Sequence, residues 1–179
     1  MALSSSGTAL GAGVVSIGVV DSVKKFTDNS TSTWCYKYVT ELASANVISG
    51  YSNGTFRPNA PITRAEFAAI CCRFEQLTDG AAAFTDVPAS HWAAKSIAYA
   101  ATRGWVTGYA DGTFKPGNNI TRAEVAAVTC RLLERNADKE YIRAHLKELP
   151  RVFADMNEQD WAYWYVCLLY TSPSPRDTR

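Results

Sequence analysis

One long repeat decides most of what this chain can become. The segment FTDNSTSTWCYKYVTELASANVISGYSNGTFRPNAPITRAEFAAICCRF is followed by FTDVPASHWAAKSIAYAATRGWVTGYADGTFKPGNNITRAEVAAVTCRL. Phe26 and Phe84, Asp28 and Asp86, Trp34 and Trp92, and Arg64 and Arg122 are all 58 positions apart (84 − 26), without a gap. Two copies in such register are one supersecondary unit built twice, each burying its apolar face against a neighbour. A third copy opens at VFADMNEQDWAYWYV, with Phe153, Asp155 and Trp161 lying 69 positions beyond Phe84, Asp86 and Trp92 (153 − 84). No third GY-x-x-GTF or ITRAE follows Trp161. The chain therefore divides into a leader or linker (1–25), repeat 1 (26–83), repeat 2 with a charged helical extension (84–151), the start of a truncated repeat 3 (152–166) and a tail (167–179). The tail, CLLYTSPSPRDTR, breaks both repeat and composition, resembles a translated sequencing adapter, and reads as non-native.

Each repeat reads as helix, loop, helix, which makes the fold class mainly α. In repeat 1 the first helix is expected to start near Ser32 or Thr33, with a hydroxyl cap. Trp34, Tyr38, Leu42 and Ala45 recur at helical spacing and predict one buried face, so Trp34, Trp92 and Trp161 read as core residues in preference to sugar-stacking ones. The helix should end near Asn46, whose counterpart is Gly104; both residue types accept the left-handed backbone of a helix C-terminus. Asn53-Gly54 and Asp111-Gly112 then predict tight turns, as short hairpin loops clasped by Tyr51 with Phe56 and Tyr109 with Phe114.

The second helix opens with a capping box: Thr63 with Glu66, repeated as Thr121 with Glu124. Phe67, Ile70, Cys71 and Phe74 follow as its apolar stripe. The insertion, 136–150, is dense in charge and predicts a solvated helix, or an extension of the preceding one, ending at Pro150.

Composition removes several classes of function. Lys and Arg number 18 against 17 Asp and Glu, a net charge of +1, which argues against nucleic acid as a partner. No run of 18 apolar residues occurs, so no membrane insertion is expected. The stretch ALGAGVVSIGVV lacks a preceding positive charge and reads as a leader or the end of an upstream domain rather than a signal peptide. Cys35, Cys71, Cys72, Cys130 and Cys167 have no zinc-ligand spacing and read as small buried hydrophobes. Paired acids, a nucleophile–base set and a metal cluster are all missing from the pattern, so neither enzyme activity nor a cofactor or metal is expected. Asp111-Gly112 lacks the rest of a calcium loop and reads as turn chemistry, and His91 and His145 have no partner repeated in register.

The pattern F-x-D, W, GY-x-[ND]-GTF-[RK]-P and ITRAE resembles the S-layer homology family, over 26–77, 84–135 and part of 152–166. The resemblance implies three repeats assembled as a pseudo-threefold helical bundle, here incomplete. It implies non-covalent anchoring of a bacterial surface protein outside the cell, at the cell wall or S-layer. The implied partner is secondary cell-wall polysaccharide, often carrying pyruvate ketals, bound in grooves between repeats with the TRAE arginine involved.

The residues give that role a physical basis. Arg64 and Arg122 stand at the first helical position, where positive charge opposes the helix dipole, and the cap does not need them. A helix N-terminus suits an anion, and an arginine adds a fork for a carboxylate such as that of a pyruvate ketal. The competing role is pairing of each arginine with an acid such as Asp28 or Asp86. The candidate polysaccharide contacts are thus Arg64, Arg122, Thr63 and Thr121, with Trp105, which replaces Val47 and is not repeated, lining a groove. Gly54, Gly112, Glu66 and Glu124 are structural motif residues, as are the three repeated tryptophans. A second reading is a protein–protein module that joins lattice neighbours without binding sugar, and a third is the anchor of an envelope enzyme whose catalytic domain lies elsewhere.

Overall fold

The computed structural model describes residues 25–75, 80, 84–135, 138–145 and 153–170. Among them are six helices and no strand: α1 (Tyr36–Ser44), α2 (Arg64–Cys72), α3 (Ala94–Thr102), α4 (Arg122–Leu132), α5 (Lys139–His145) and α6 (Tyr163–Tyr170). Helices α1, α3 and α6 open the three repeats; α2 and α4 close the first two; α5 lies in the insertion.

The capping boxes form as expected. Thr63 accepts from the Glu66 N–H while Glu66 accepts from the Thr63 N–H, and Thr121 and Glu124 do the same. Each satisfies two otherwise orphaned donors, a cap worth about 1 kcal/mol. At the other end of α1, Asn46 adopts φ 58° and Gly104, after α3, φ 71°. The Asn46 N–H donates to Ala43 O and the Val47 N–H to Leu42 O, and Gly104 and Trp105 repeat this after α3. This paired closure is the Schellman arrangement, which needs a left-handed residue at that position.

The start of α1 differs from the expectation. The helix begins at Tyr36 after Cys35, with no side-chain cap. The hydroxyls are used one turn earlier: Thr33 N–H donates to Ser30 O, and Ser30 N–H to Thr33 Oγ1. Because Trp34 belongs to that turn, the helical period starts one residue later. Cys35, Val39 and Ala43 are buried, while Trp34 is 77% and Tyr38 62% exposed. Trp92 (65%) and Trp161 (59%) are exposed likewise, so core packing for the three tryptophans is corrected.

The NG and DG turns close as expected, with Tyr51 N–H on Thr55 O and Tyr109 N–H on Thr113 O. The aromatic clasp, however, joins Phe26 to Phe56 and Phe84 to Phe114, with ring centroids 5.5 and 5.3 Å apart, rather than using the tyrosines. Asp28 explains the F-x-D motif: its carboxylate accepts from the N–H groups of Phe56 and Arg57, both at 2.7 Å. Asp86 does the same for Phe114 and Lys115. Each aspartate thereby staples the start of its repeat to the far side of the loop.

Packing crosses the repeat boundaries. Helix α2 lies on α3, and α4 lies on α6. After Arg64 at its start, the buried residues of α2 are small, Ala65, Ala68, Ala69, Cys71 and Cys72, while Phe67 and Ile70, and Phe74 just beyond it, are only partly buried. Small side chains let the two helices approach closely. One core cluster joins Ala65, Ala68, Cys71 and Cys72 to Ile97, Tyr99, Trp105, Phe114 and Val128 of repeat 2, while Ile70 and Phe74 pack against the core of repeat 1. The insertion is not merely solvated: Ile142 of α5 is fully buried with Cys130, Trp164, Cys167 and Leu168. Helix α6 runs through 167–170, so the first tail residues continue it; Pro150 and 171–179 lie outside the described residues.

Candidate functional site

The seam between repeats 1 and 2 is built from backbone upward. Ile120 N–H donates to Ile62 O at 3.0 Å, Arg64 N–H to Asn118 O at 2.8 Å and Ala65 N–H to Pro116 O at 3.1 Å. Thr63 and Asn119 form an antiparallel bridge. The start of α2 is thus pinned across the loop of repeat 2, which delivers the Arg64 side chain into it.

Arg64 is 7% exposed, one of the few charged residues in the interior. Its Nε donates to Phe114 O at 2.8 Å and its Nη2 to Thr107 O at 3.0 Å. Its Nη1 pairs with Glu124 Oε1. The guanidinium also lies 4.9 Å from the Tyr109 ring centroid and 4.7 Å from that of Phe114. Burying a cation costs several kcal/mol unless its donors are matched, and here all three directions of the fork are. The competing role set out from sequence was pairing with Asp28 or Asp86; those carboxylates serve the loops instead, and the partner is Glu124. Glu124 divides its work, with Oε2 on the Thr121 cap and Oε1 on Arg64.

Beside this ion pair lies a pocket of about 260 Å³. Its lining brings together Arg64 of repeat 1, Tyr109, Glu124 and Arg131 of repeat 2, and Trp161 of repeat 3. Arg131 donates to the carbonyl of Trp105 and lies 5.3 Å from the Tyr165 ring centroid, so it too bridges two repeats.

The other expected site residues separate. Arg122 is exposed and outside the pocket, and among the described residues it has no hydrogen bond or ion pair. The backbone N–H groups of Arg122 and Ala123 likewise find no partner among the described residues, whereas their equivalents at α2 are bonded to repeat 2. Thr63 and Thr121 are occupied as caps. Trp105 is 2% exposed, edge-on to Tyr99 at 5.7 Å, so the groove-lining expectation for it is corrected: it fills the larger core of repeat 2 where Val47 fills that of repeat 1. Tyr109 and Arg131 were not singled out as pocket residues from sequence, and Trp161 was weighed as a sugar-stacking residue but read as core; their positions meet only when three repeats are stacked.

The electrostatics are those of a folded scaffold with local charge. Donation from the Phe56 N–H holds the Asp28 carboxyl below its ordinary range. Burial pushes Asp86 up, but the N–H groups of Phe114 and Lys115 outweigh it and the net direction is down. Asp111 is lowered by the Thr113 hydroxyl and N–H, as a turn residue. Burial pushes the Cys71 thiol up to about 12 and those of Cys72 and Cys130 up to about 11. Cys72 donates to Ser96 O and Cys130 to Tyr165 O, the same contact at successive seams. Neither histidine lines the pocket: His91 accepts from Ala93 N–H, and His145 stacks on Tyr141 at 4.1 Å.

The S-layer homology domain model matches residues 25–68 and 83–126. A cellulosome-anchoring protein of Acetivibrio thermocellus is 37% identical over 163 residues, covering 86% of this chain and 34% of the relative. A surface layer protein of Brevibacillus choshinensis is 36% identical over 103 residues, covering 54% of this chain and 9% of the relative. An endoglucanase of a Bacillus species is 35% identical over 109 residues, covering 61% and 12%. The chain spans about a third or less of each. Two matched repeats in the register that the fold displays place the chain in the S-layer homology family, to which it belongs.

Proposed function

We propose that this chain is a non-catalytic anchor that holds a surface protein to the bacterial cell envelope, outside the cell, by binding acidic wall polysaccharide, with pyruvylated secondary cell-wall polymer as the ligand class. The observation that carries the reading is the seam pocket. It offers aromatic rings from Tyr109 and Trp161, the guanidinium of Arg131, a wall formed by the buried and fully paired Arg64, and a volume of about 260 Å³. Small-molecule sites begin at about 300 Å³, so this one suits a single sugar residue of a longer polymer. Exposed aromatic faces stack on the C–H face of a sugar, and guanidinium groups receive its carboxylate. The free guanidinium and N–H groups at the start of α4 give a second position of the same chemistry.

The relatives support an anchor over an enzyme. An anchoring protein, a surface layer protein and an endoglucanase each resemble this chain over a third or less of their own length and differ in name. We read the shared segment as the part that sets a place on the cell rather than a reaction. The test is retention of the full chain on purified cell walls, with and without chemical removal of the pyruvate ketals. Trp161→Ala and Arg122→Ala are the informative variants, because neither residue is buried; each is expected to lower retention about tenfold, a loss on the order of 1.4 kcal/mol. Undiminished retention by the double variant, or by walls stripped of polysaccharide, would sink the reading.

A further inference from the structure

Three turns lead into the three exposed tryptophans, and their backbones agree. Thr33 N–H donates to Ser30 O, His91 N–H to Pro88 O and Asp160 N–H to Asn157 O, at 2.8, 2.8 and 2.9 Å. Their side chains do not agree. Repeats 1 and 2 put the uncharged Thr31 and Ala89 at the second turn position, where repeat 3 puts Glu158. Of the three tryptophans, Trp161 is the one that lines the seam pocket.

Repeat 3 is also the one that follows the insertion, and the insertion supplies the partner for its acid. Arg143 of α5 donates to Glu158 Oε2 from Nη2 at 2.8 Å and from Nε at 3.3 Å. Its guanidinium lies 5.0 Å from the Trp164 ring centroid. The residue before it, Ile142, is fully buried in the core that α6 shares, so α5 is fixed at that point. Asp138 starts the helix by accepting from the N–H groups of Glu140 and Tyr141 at 3.0 and 3.1 Å. An arginine on a seated helix thus grips the turn that carries Trp161.

The pair is exposed on both sides, its side chains 54% and 46% accessible. Such a pair adds little to global stability. What it can do is bias where one short turn sits, and this turn ends in a pocket residue.

We propose that the insertion is a working part of the seam pocket: Arg143 is a positioning residue that, through Glu158, holds the 157–160 turn so that Trp161 stays at the pocket wall. The consequence for binding rests on the polysaccharide reading, whereas the placement of Trp161 does not. An ion pair biases a turn by no more than its own free energy, so its loss changes affinity by a factor of about two to five.

The full chain labelled with 5-fluorotryptophan tests this by fluorine NMR, with Trp161→Phe identifying the Trp161 line. Arg143→Ala, and Glu158→Ala, which matches Ala89 of repeat 2, should each shift that line while those of Trp34 and Trp92 stay in place. The double variant should move it no further than either change alone. Because Arg143 also touches Trp164, the Glu158 variant isolates the turn. Unfolding midpoints should fall by less than about 4 °C. On purified pyruvylated wall polymer both variants should bind about two- to fivefold more weakly, and Arg143→Lys, which keeps the charge, should recover part of the loss. An unmoved Trp161 line in the Glu158 variant would overturn the proposal. Tighter polymer binding by that variant would overturn it too, by making Glu158 a repelling charge that Arg143 only offsets. A wild-type chain that ignores the polymer, with the fluorine line still moved by both variants, would sink the polysaccharide reading and uphold the positioning role.

Discussion

Arg64 and Arg122 occupy the same place in the same motif, at the start of helices with the same cap, yet one is buried and the other exposed. Nothing in their own repeats separates them. What separates them is the next repeat: repeat 2 supplies a GY-x-x-GTF loop around Arg64, while nothing described in repeat 3 does so for Arg122. The TRAE motif is thus half of a joint, and the loop downstream is its other half. A residue that reads as a ligand contact within one repeat acts as a clasp once a second repeat is in place.

Stability variants sharpen that contrast most strongly. Arg64→Ala leaves Glu124 and two loop carbonyls without their cation, and chemical denaturation should show a loss of about 3 kcal/mol, the lower end for a broken buried pair because Glu124 keeps some exposure. Arg122→Ala should change stability by less than about 0.5 kcal/mol, as a surface substitution does. Equal losses would mean that the downstream loop contributes nothing to seating Arg64.

The two glutamates should repeat the asymmetry on a smaller scale. Glutamine preserves both capping boxes. Glu124→Gln removes the charge opposite Arg64 and should cost about 1–2 kcal/mol, whereas Glu66→Gln should stay within about 0.5 kcal/mol. In combination with Arg64→Ala, the Glu124 change should cost less than it does alone, the mark of coupled residues.

At the Asp staples the two repeats should behave alike, and the effect is the smallest. Asp28 and Asp86 both have carboxyls held below their ordinary range by N–H donors. A depressed folded value means the unfolded chain binds the proton first. Their stabilisation is therefore complete above the unfolded value of about 3.9 and is lost as pH falls through the folded values. Asp28→Asn should flatten the acid limb of a stability–pH curve, and Asp86→Asn should flatten it similarly. A response from one repeat only would show that the loops are not equivalent.

How much of this was legible in the sequence follows from the reach of each interaction. Caps, turns and helix ends lie within five residues, and Thr63, Glu66, Asn46 and Gly54 announced them correctly. The tryptophans misled because periodicity assumes an unbroken helix, and Trp34 sits in a turn just before one. Ile142 was hidden in a charged segment: Ile142, Leu146 and Leu149 stand at helical spacing, but the charges between them read as a solvated face. Glu124 as the partner of Arg64 could not be read from either repeat alone, because the two positions are 60 residues apart and meet only across the seam. A repeated acid with one oxygen left over after capping was the available signal.

The seam carries a mechanical consequence. Three backbone bonds and a buried ion pair join repeats 1 and 2 within a few residues of chain, around Ile62 to Ala65. A protein tethered to a wall is tugged by whatever flows past it. Load that parts the two repeats falls on these bonds together rather than one after another, so the joint yields at a single threshold and holds nearly rigid below it.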